Sequence, residues 1–200
     1  MRIIAIGYRN WALKIYKNLA KREKVLIFRK EISYKRIKKY NPNFILYYGW
    51  SKKVPKKIID DYKCIMLHPS KLPAFAGGSP IQNQIIRNIK TSAVTLFRMN
   101  EKFDKGNILF QKKLSLDGEL NEIFDEIIRI GTMLSLQMFK QKYKEKKTNV
   151  KKIYPRRKPW ESEITLSELK YKNAKYLYNK IRMLQSPYPT AYINTSDGKK

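Results

Sequence analysis

Histidine and cysteine occur once each in this 200-residue chain, as His68 and Cys64. A single cysteine excludes an internal disulfide. Flanked by Ile65, Met66 and Leu67, it reads as a buried strand residue, and nothing supports redox chemistry or a bound metal. Acidic residues are scarce, 16 against 44 lysines and arginines, which leaves a net charge of +28. Long apolar runs are missing: a stretch such as Phe44-Ile45-Leu46-Tyr47-Tyr48 is far too short to cross a bilayer. The N-terminus opens on the strand-like Arg2-Ile3-Ile4-Ala5-Ile6 rather than on a charged segment followed by a long apolar one. The expectation is therefore a soluble, cytoplasmic chain with no membrane partner. G-x-G-x-x-G is absent, so no dinucleotide is indicated, and there are no repeats or low-complexity tracts.

What is present begins with a 42% hydrophobic content, enough for one real core. The positive charge is spread along the whole chain, with denser patches at residues 35–39, 52–57, 140–152 and Arg156-Arg157-Lys158, and no RNA-binding signature accompanies it. A solvated basic surface is read slightly ahead of a dedicated nucleic-acid face, and either would attract anionic ligands.

Strand-like and helix-like stretches alternate. Strands are predicted over 2–7, 24–28, 43–48 and 63–67. Helices are predicted over the Trp11, Ile15, Leu19 stripe with Asn10 as N-cap, over 32–39 and over 55–61. This alternation predicts an α/β fold with a mostly parallel, twisted sheet and helices on both faces, in which ligands bind at the carboxyl ends of strands. Gly7, Gly49 and His68 fall at such ends. Further on, a helix over 79–88, strands over 91–98 and 108–114 forming antiparallel pairs at the sheet edge, and a long amphipathic helix over 120–144 are predicted. A boundary near residue 150 separates a 1–150 catalytic domain from a 151–200 extension. That extension carries a loop with Pro155 and Pro159, a helix over 173–184 and an extended 188–194, and it is where a further module could start.

The richest stretch surrounds the histidine: His68-Pro69-Ser70-Lys71-Leu72-Pro73, then Gly77-Gly78-Ser79-Pro80-Ile81-Gln82, then Asp104-Lys105-Gly106-Asn107-Ile108-Leu109. Histidine suits a site that must take and give a proton near neutral pH. These three elements, in this order, resemble the formyltransferases that use 10-formyltetrahydrofolate, which act on methionyl-tRNA, glycinamide ribonucleotide or amino sugars. The resemblance covers residues 1 to about 144 and implies a Rossmann-like fold. It also implies a catalytic pair, His68 and Asp104, serving attack of a neutral amine on the formyl carbon. His68 would donate to the oxyanion or relay the proton, and Asp104 would orient His68 and favour its charged form.

Asparagine is usual in the family two residues before the histidine, and this chain has Met66, whose thioether cannot donate to the oxyanion. Asn83, Gln82 or a backbone N–H is the expected substitute. Ala76 also departs, standing where relatives often have arginine. The resemblance places folate contacts at Gly49, Trp50, Ser51, Lys52, Lys53 and Val54, with Met99, Asn100 and Glu101, and Trp50 is read as a wall for the pterin or an ordinary aromatic at a strand end. Acceptor contacts are expected at Tyr8, Arg9 and Asn10, beside a helix N-terminus, and at Gly77, Gly78, Ser79 and Pro80. The Ile181-Arg182-Met183-Leu184 wording of the tail and the Gly49-Trp50 pair resemble the nucleotide-sugar N-formyltransferases, which implies a nucleotide-linked amino-deoxysugar as acceptor, the kind used in O-antigen synthesis. Methionyl-tRNA is the alternative, and a non-catalytic folate- or nucleotide-binding protein a third. A homodimer is entertained as the assembly.

Overall fold

The computed structural model describes residues 1–102, 104–196 and 198–199, the last by its backbone alone. Strand and helix alternate as β1 (Arg2–Ile6), α1 (Asn10–Ala20), β2 (Lys24–Phe28), α2 (Tyr34–Tyr40), β3 (Phe44–Leu46), α3 (Lys56–Asp61) and β4 (Cys64–His68). There follow β5 (Ala76–Gly77), α4 (Pro80–Ile85), β6 (Thr91–Arg98), β7 (Asn107–Ser115) and α5 (Leu120–Lys140). The C-terminal stretch carries β8 (Ile153–Tyr154), a 3₁₀ turn (Pro159–Ser162), α6 (Leu166–Tyr171), α7 (Ala174–Arg182), β9 (Asn194–Thr195) and β10 (Gly198–Lys199).

Six strands form one sheet in the order β2-β1-β3-β4-β6-β7. The first four are mutually parallel; β6 runs antiparallel to β4, and β7 to β6. Side chains alternate across the sheet, as the period of two requires. Ile3 and Ala5 join α1 and α5 in one core cluster, while Ile4, Ile6 and Ile45 join Ile37 of α2 and Ile58 of α3 in another. Helices therefore cover both faces, which is why β1 and β3 read as continuous apolar runs. Among the described residues no helix is long and apolar enough to cross a membrane.

Several boundaries shift for local reasons. Helix α1 starts at Asn10 itself, after Arg9, which makes no side-chain cap. Helix α2 begins only at Tyr34, because Ser33 caps it by accepting from Arg36 N–H, and it ends at Asn41 in the left-handed region. Helix α4 is short: Asn88 at φ +57° turns the chain, and Ile89 N–H bonds back to Gln84 O. Helix α5 stops at Lys140, four residues before the predicted end, because the following segment returns to β7, where Lys146 and Ile108 exchange backbone hydrogen bonds of 2.9 and 2.8 Å.

The 151–200 stretch packs into the main core. Met183 and Leu184 belong to the same cluster as Ile3 and Leu67, and Arg182 donates to Leu116 O and Gly118 O at 2.7 Å each. Strand β8 pairs in parallel with β5. At the carboxyl ends of β1 and β3, Tyr16 of α1 acts as a buried tie, donating to Ile6 O at 2.9 Å and accepting from Tyr48 N–H at 2.6 Å. That tie fixes the rim on which the site is built.

Candidate active site

His68 is the last residue of β4, 6% exposed, at the carboxyl edge of the sheet. Its Nε2 lies 2.9 Å from Phe75 O and its Nδ1 3.6 Å from Asp104 Oδ2. A carbonyl can only accept, so the proton sits on Nε2. A second proton on Nδ1 would face the carboxylate. Asp104 Oδ2 in turn accepts from Gly77 N–H at 2.8 Å. One carboxylate thus ties together the three sequence elements that were singled out.

Backbone strain collects here. Phe75, Ser79 and Asp104 all have positive φ, 54°, 46° and 51°, a region non-glycine residues rarely enter. Gly77 at φ +107° and Gly78 have no room for a Cβ: one would strike the backbone of Tyr154 and the other that of Arg156. The glycine pair therefore lets the 153–156 segment close over the histidine loop. In the same place Arg157 N–H donates to Ser79 Oγ at 3.1 Å.

The elements enclose a cavity of about 550 Å³ lined by His68, Asp104 and Met66. Of the folate residues expected, Gly49, Trp50 and Ser51 line it; of the acceptor residues, Arg9, Gly77, Gly78, Ser79 and Pro80 do. Lys52, Lys53, Val54, Met99, Asn100 and Glu101 line a smaller recess of about 30 Å³, which shares Met66 and Asp104 with the large one. Asn100 is committed to its own turn, receiving Lys102 N–H and donating to Lys105 O, and Glu101 pairs with Lys56 at 2.6 Å.

Three expected residues lie outside both spaces. Tyr8 hydrogen-bonds the Ser51 hydroxyl and packs edge-on against Trp50 at 5.6 Å. Asn10 sits in the first turn of α1. Asn83 does not line the cavity: its Nδ2 donates to Gly78 O at 2.9 Å and its Oδ1 accepts from Arg87 at 3.0 Å. Trp50 is only 7% exposed, enclosed by Tyr8, Tyr47 and the Lys52 ammonium. Its indole N–H is buried without a hydrogen-bond partner.

The residues sequence reasoning missed come from the C-terminal stretch. Tyr154, Arg156, Arg157, Lys158 and Tyr188 all line the cavity. Tyr154 stacks on Phe75 at 5.0 Å. The basic triplet between Pro155 and Pro159 was the available signal, a charge run beside two breakers. Cys64 is inert: burial pushes its thiol up to about 12, and it faces Ile58 O. Among the described residues no cluster of His, Cys, Asp and Glu could hold a metal.

This fold and this carboxylate-linked histidine define a class, and residues 14–122 match the formyl transferase family. The chain belongs to that family. A methionyl-tRNA formyltransferase from Syntrophomonas wolfei is 30% identical over 171 residues, 80% of this chain and 53% of that protein. The solved structure of the methionyl-tRNA formyltransferase from Clostridium thermocellum superposes with a TM-score of 0.87 at 29% identity, covering 100% of this chain and 90% of that one. A sugar N-formyltransferase from a Shewanella species superposes with a TM-score of 0.76 at 18% identity, covering 100% and 95%. The chain spans 29% to 53% of the length of the first curated relatives it matches.

Proposed function

We propose that the chain transfers a formyl group from 10-formyltetrahydrofolate to a primary amine, and that the amine is the α-amino group of methionyl-tRNA. The observation that carries the reaction is the joining of His68, Asp104 and Gly77 through one carboxylate at the wall of the cavity. The acceptor is favoured by relatives of 30% and 29% identity that carry that name and by the charge of +28, suited to a polyanion. A nucleotide-linked amino-deoxysugar is the second reading. It is favoured by Arg156, Arg157 and Lys158 at a cavity of small-molecule size, where a diphosphate would be held.

The donor fits the residues present. Lys52 and Lys53 offer cations for its carboxylates, and Val54 and Met99 offer apolar wall in the recess beside Asp104. As the amine attacks, negative charge grows on the formyl oxygen and the incoming nitrogen must lose a proton. His68 keeps one proton on Nε2, pinned by Phe75 O, and exchanges the other at Nδ1. There the Asp104 carboxylate lies 3.6 Å away and orients the ring. Turnover is read as tetrahydrofolate release with each acceptor. His68→Ala and Asp104→Ala are expected to lower kcat by about a hundredfold or more while the thermal melt stays cooperative. Wild-type rates in either variant would sink the assignment.

A further inference from the structure

Tyr154 precedes Pro155, a position that keeps it out of helical conformation. With Ile153 it forms β8, paired in parallel with Ala76 and Gly77 of β5, and its carbonyl accepts from Gly78 N–H at 2.7 Å. Three groups hold its ring. It stacks on Phe75 with centroids 5.0 Å apart and planes inclined by 24°. The Lys152 ammonium lies 4.8 Å and the Arg87 guanidinium 5.1 Å from its centroid. Arg87 is itself fixed, donating to Asn83 O at 2.8 Å and Asn83 Oδ1 at 3.0 Å.

Phe75 stands at φ +54°, a conformation that a bulky residue keeps only where its surroundings over-determine it. What they secure is the direction of its carbonyl, the acceptor 2.9 Å from His68 Nε2. On the other side of the imidazole, Asp104 Oδ2 lies 3.6 Å from Nδ1 and accepts from Gly77 N–H at 2.8 Å. Gly77 is the residue registered with Tyr154. Both neighbours of the imidazole are thus anchored on the β5–β8 pair, and the one aromatic ring of that pair is Tyr154. The two neighbours also compete. In a neutral ring the carboxylate favours a proton on Nδ1, whereas the Phe75 carbonyl favours it on Nε2.

We propose that Tyr154 is a positioning residue for His68: its stack on Phe75 keeps Phe75 O on Nε2, so that the neutral ring carries its proton there and leaves Nδ1 bare. Without the stack, Phe75 relaxes from its strained conformation, its carbonyl turns away, and Asp104 draws the proton to Nδ1. A ring in that form has no bare Nδ1 to take a proton from the attacking amine. This kinetic consequence rests on the formyl-transfer reading above; the place of the proton on the ring does not.

His68 is the only histidine of the chain, so nitrogen NMR reads its ring directly, a protonated ring nitrogen resonating far from a bare one. At the basic end of a pH titration the wild type is expected to show Nε2 protonated and Nδ1 bare. In Tyr154→Ala the two resonances draw together or exchange places. With whichever of methionyl-tRNA or a dTDP-linked 4-amino-deoxysugar the wild type formylates, kcat falls about three- to tenfold, the factor that one aromatic pair carries. KM for 10-formyltetrahydrofolate stays at the wild-type value. Tyr154→Phe keeps the ring and restores both the tautomer and kcat. Tyr154→Leu keeps bulk without a flat ring; it follows Tyr154→Ala and carries the test where the alanine variant does not fold. A ring still protonated only on Nε2 in the alanine or leucine variant overturns the inference, as does a wild type protonated on Nδ1. So does Tyr154→Phe behaving like Tyr154→Ala, and so does a change confined to KM, which marks a mere wall of the cavity. No transfer by the wild type to either acceptor overturns the formyl-transfer reading itself, and the nitrogen resonances then decide the role of Tyr154 alone.

Discussion

On the proposed formyl transfer, Met66 is the residue expected to set the rate. It sits two positions before His68 on the same face of β4, half-buried, touching both the large cavity and the recess that meet at Asp104. A thioether there packs, as Met99 does, against the cluster holding Phe97 but donates nothing to a developing oxyanion. Asn83, a candidate substitute, lies outside the cavity and is held by Gly78 O and Arg87. Met66→Asn is therefore expected to raise kcat by about a hundredfold, the usual worth of one oxyanion donor. It should destabilise the fold by about 1–2 kcal/mol through a newly buried amide. Single-turnover formyl transfer and urea melts of the two proteins measure both effects, and an unchanged rate would mean that another group already fills the role.

Between elements, the α6–α7 pair is held by one partly buried ion pair. Lys180 Nζ lies 2.7 and 2.6 Å from the Glu168 oxygens. Burial works to raise the Glu168 carboxyl, but hydrogen bonds from Lys180, Thr165 and Tyr176 outweigh it and leave it below the ordinary 4.5. A carboxyl lowered on folding stabilises above its unfolded value, and that contribution fades as pH falls through the lower folded one. Glu168→Gln strands a lysine that is 5% exposed and is expected to cost about 3 kcal/mol at pH 7. The gap between variant and wild type should stay constant from pH 7 to 5 and narrow below 4.5 in urea melts; a gap that widens in acid would contradict this. The same element marks a limit of sequence reading. Thr165 and Glu168 form a capping box, with both backbone N–H groups satisfied, yet α6 buries nothing. The apolar stripe by which α1 and α5 announced themselves is therefore missing. The β5–β8 pairing was equally hidden, because two-residue strands have no period and their partners lie far apart in sequence. By contrast β1, β3 and β4 were legible because both their faces are buried, and the meeting of His68 with Asp104 was expected from the resemblance rather than from any periodicity.

Across the whole molecule, 44 basic side chains against 16 acidic ones attract anions, and the two proposed acceptors differ in how much anion they bring. No sequence pattern separated a solvated surface from a binding face, since lysines lie along the entire chain. The structure adds that Arg156, Arg157 and Lys158 reach the cavity, the space that either proposed acceptor would enter. Salt distinguishes them. Each phosphate contact releases condensed counterions, and with a slope of about 0.7 per contact, five contacts on a tRNA weaken binding by about a hundredfold between 50 and 200 mM salt. A nucleotide sugar with two phosphate charges would lose less than about tenfold over the same range. The KM for methionyl-tRNA is accordingly expected to rise by about two decades while kcat holds, with the KM for 10-formyltetrahydrofolate moving far less. A shallow acceptor dependence would transfer the assignment to the small nucleotide-linked amine, and with it the role of the basic triplet from tracking a backbone to holding one diphosphate.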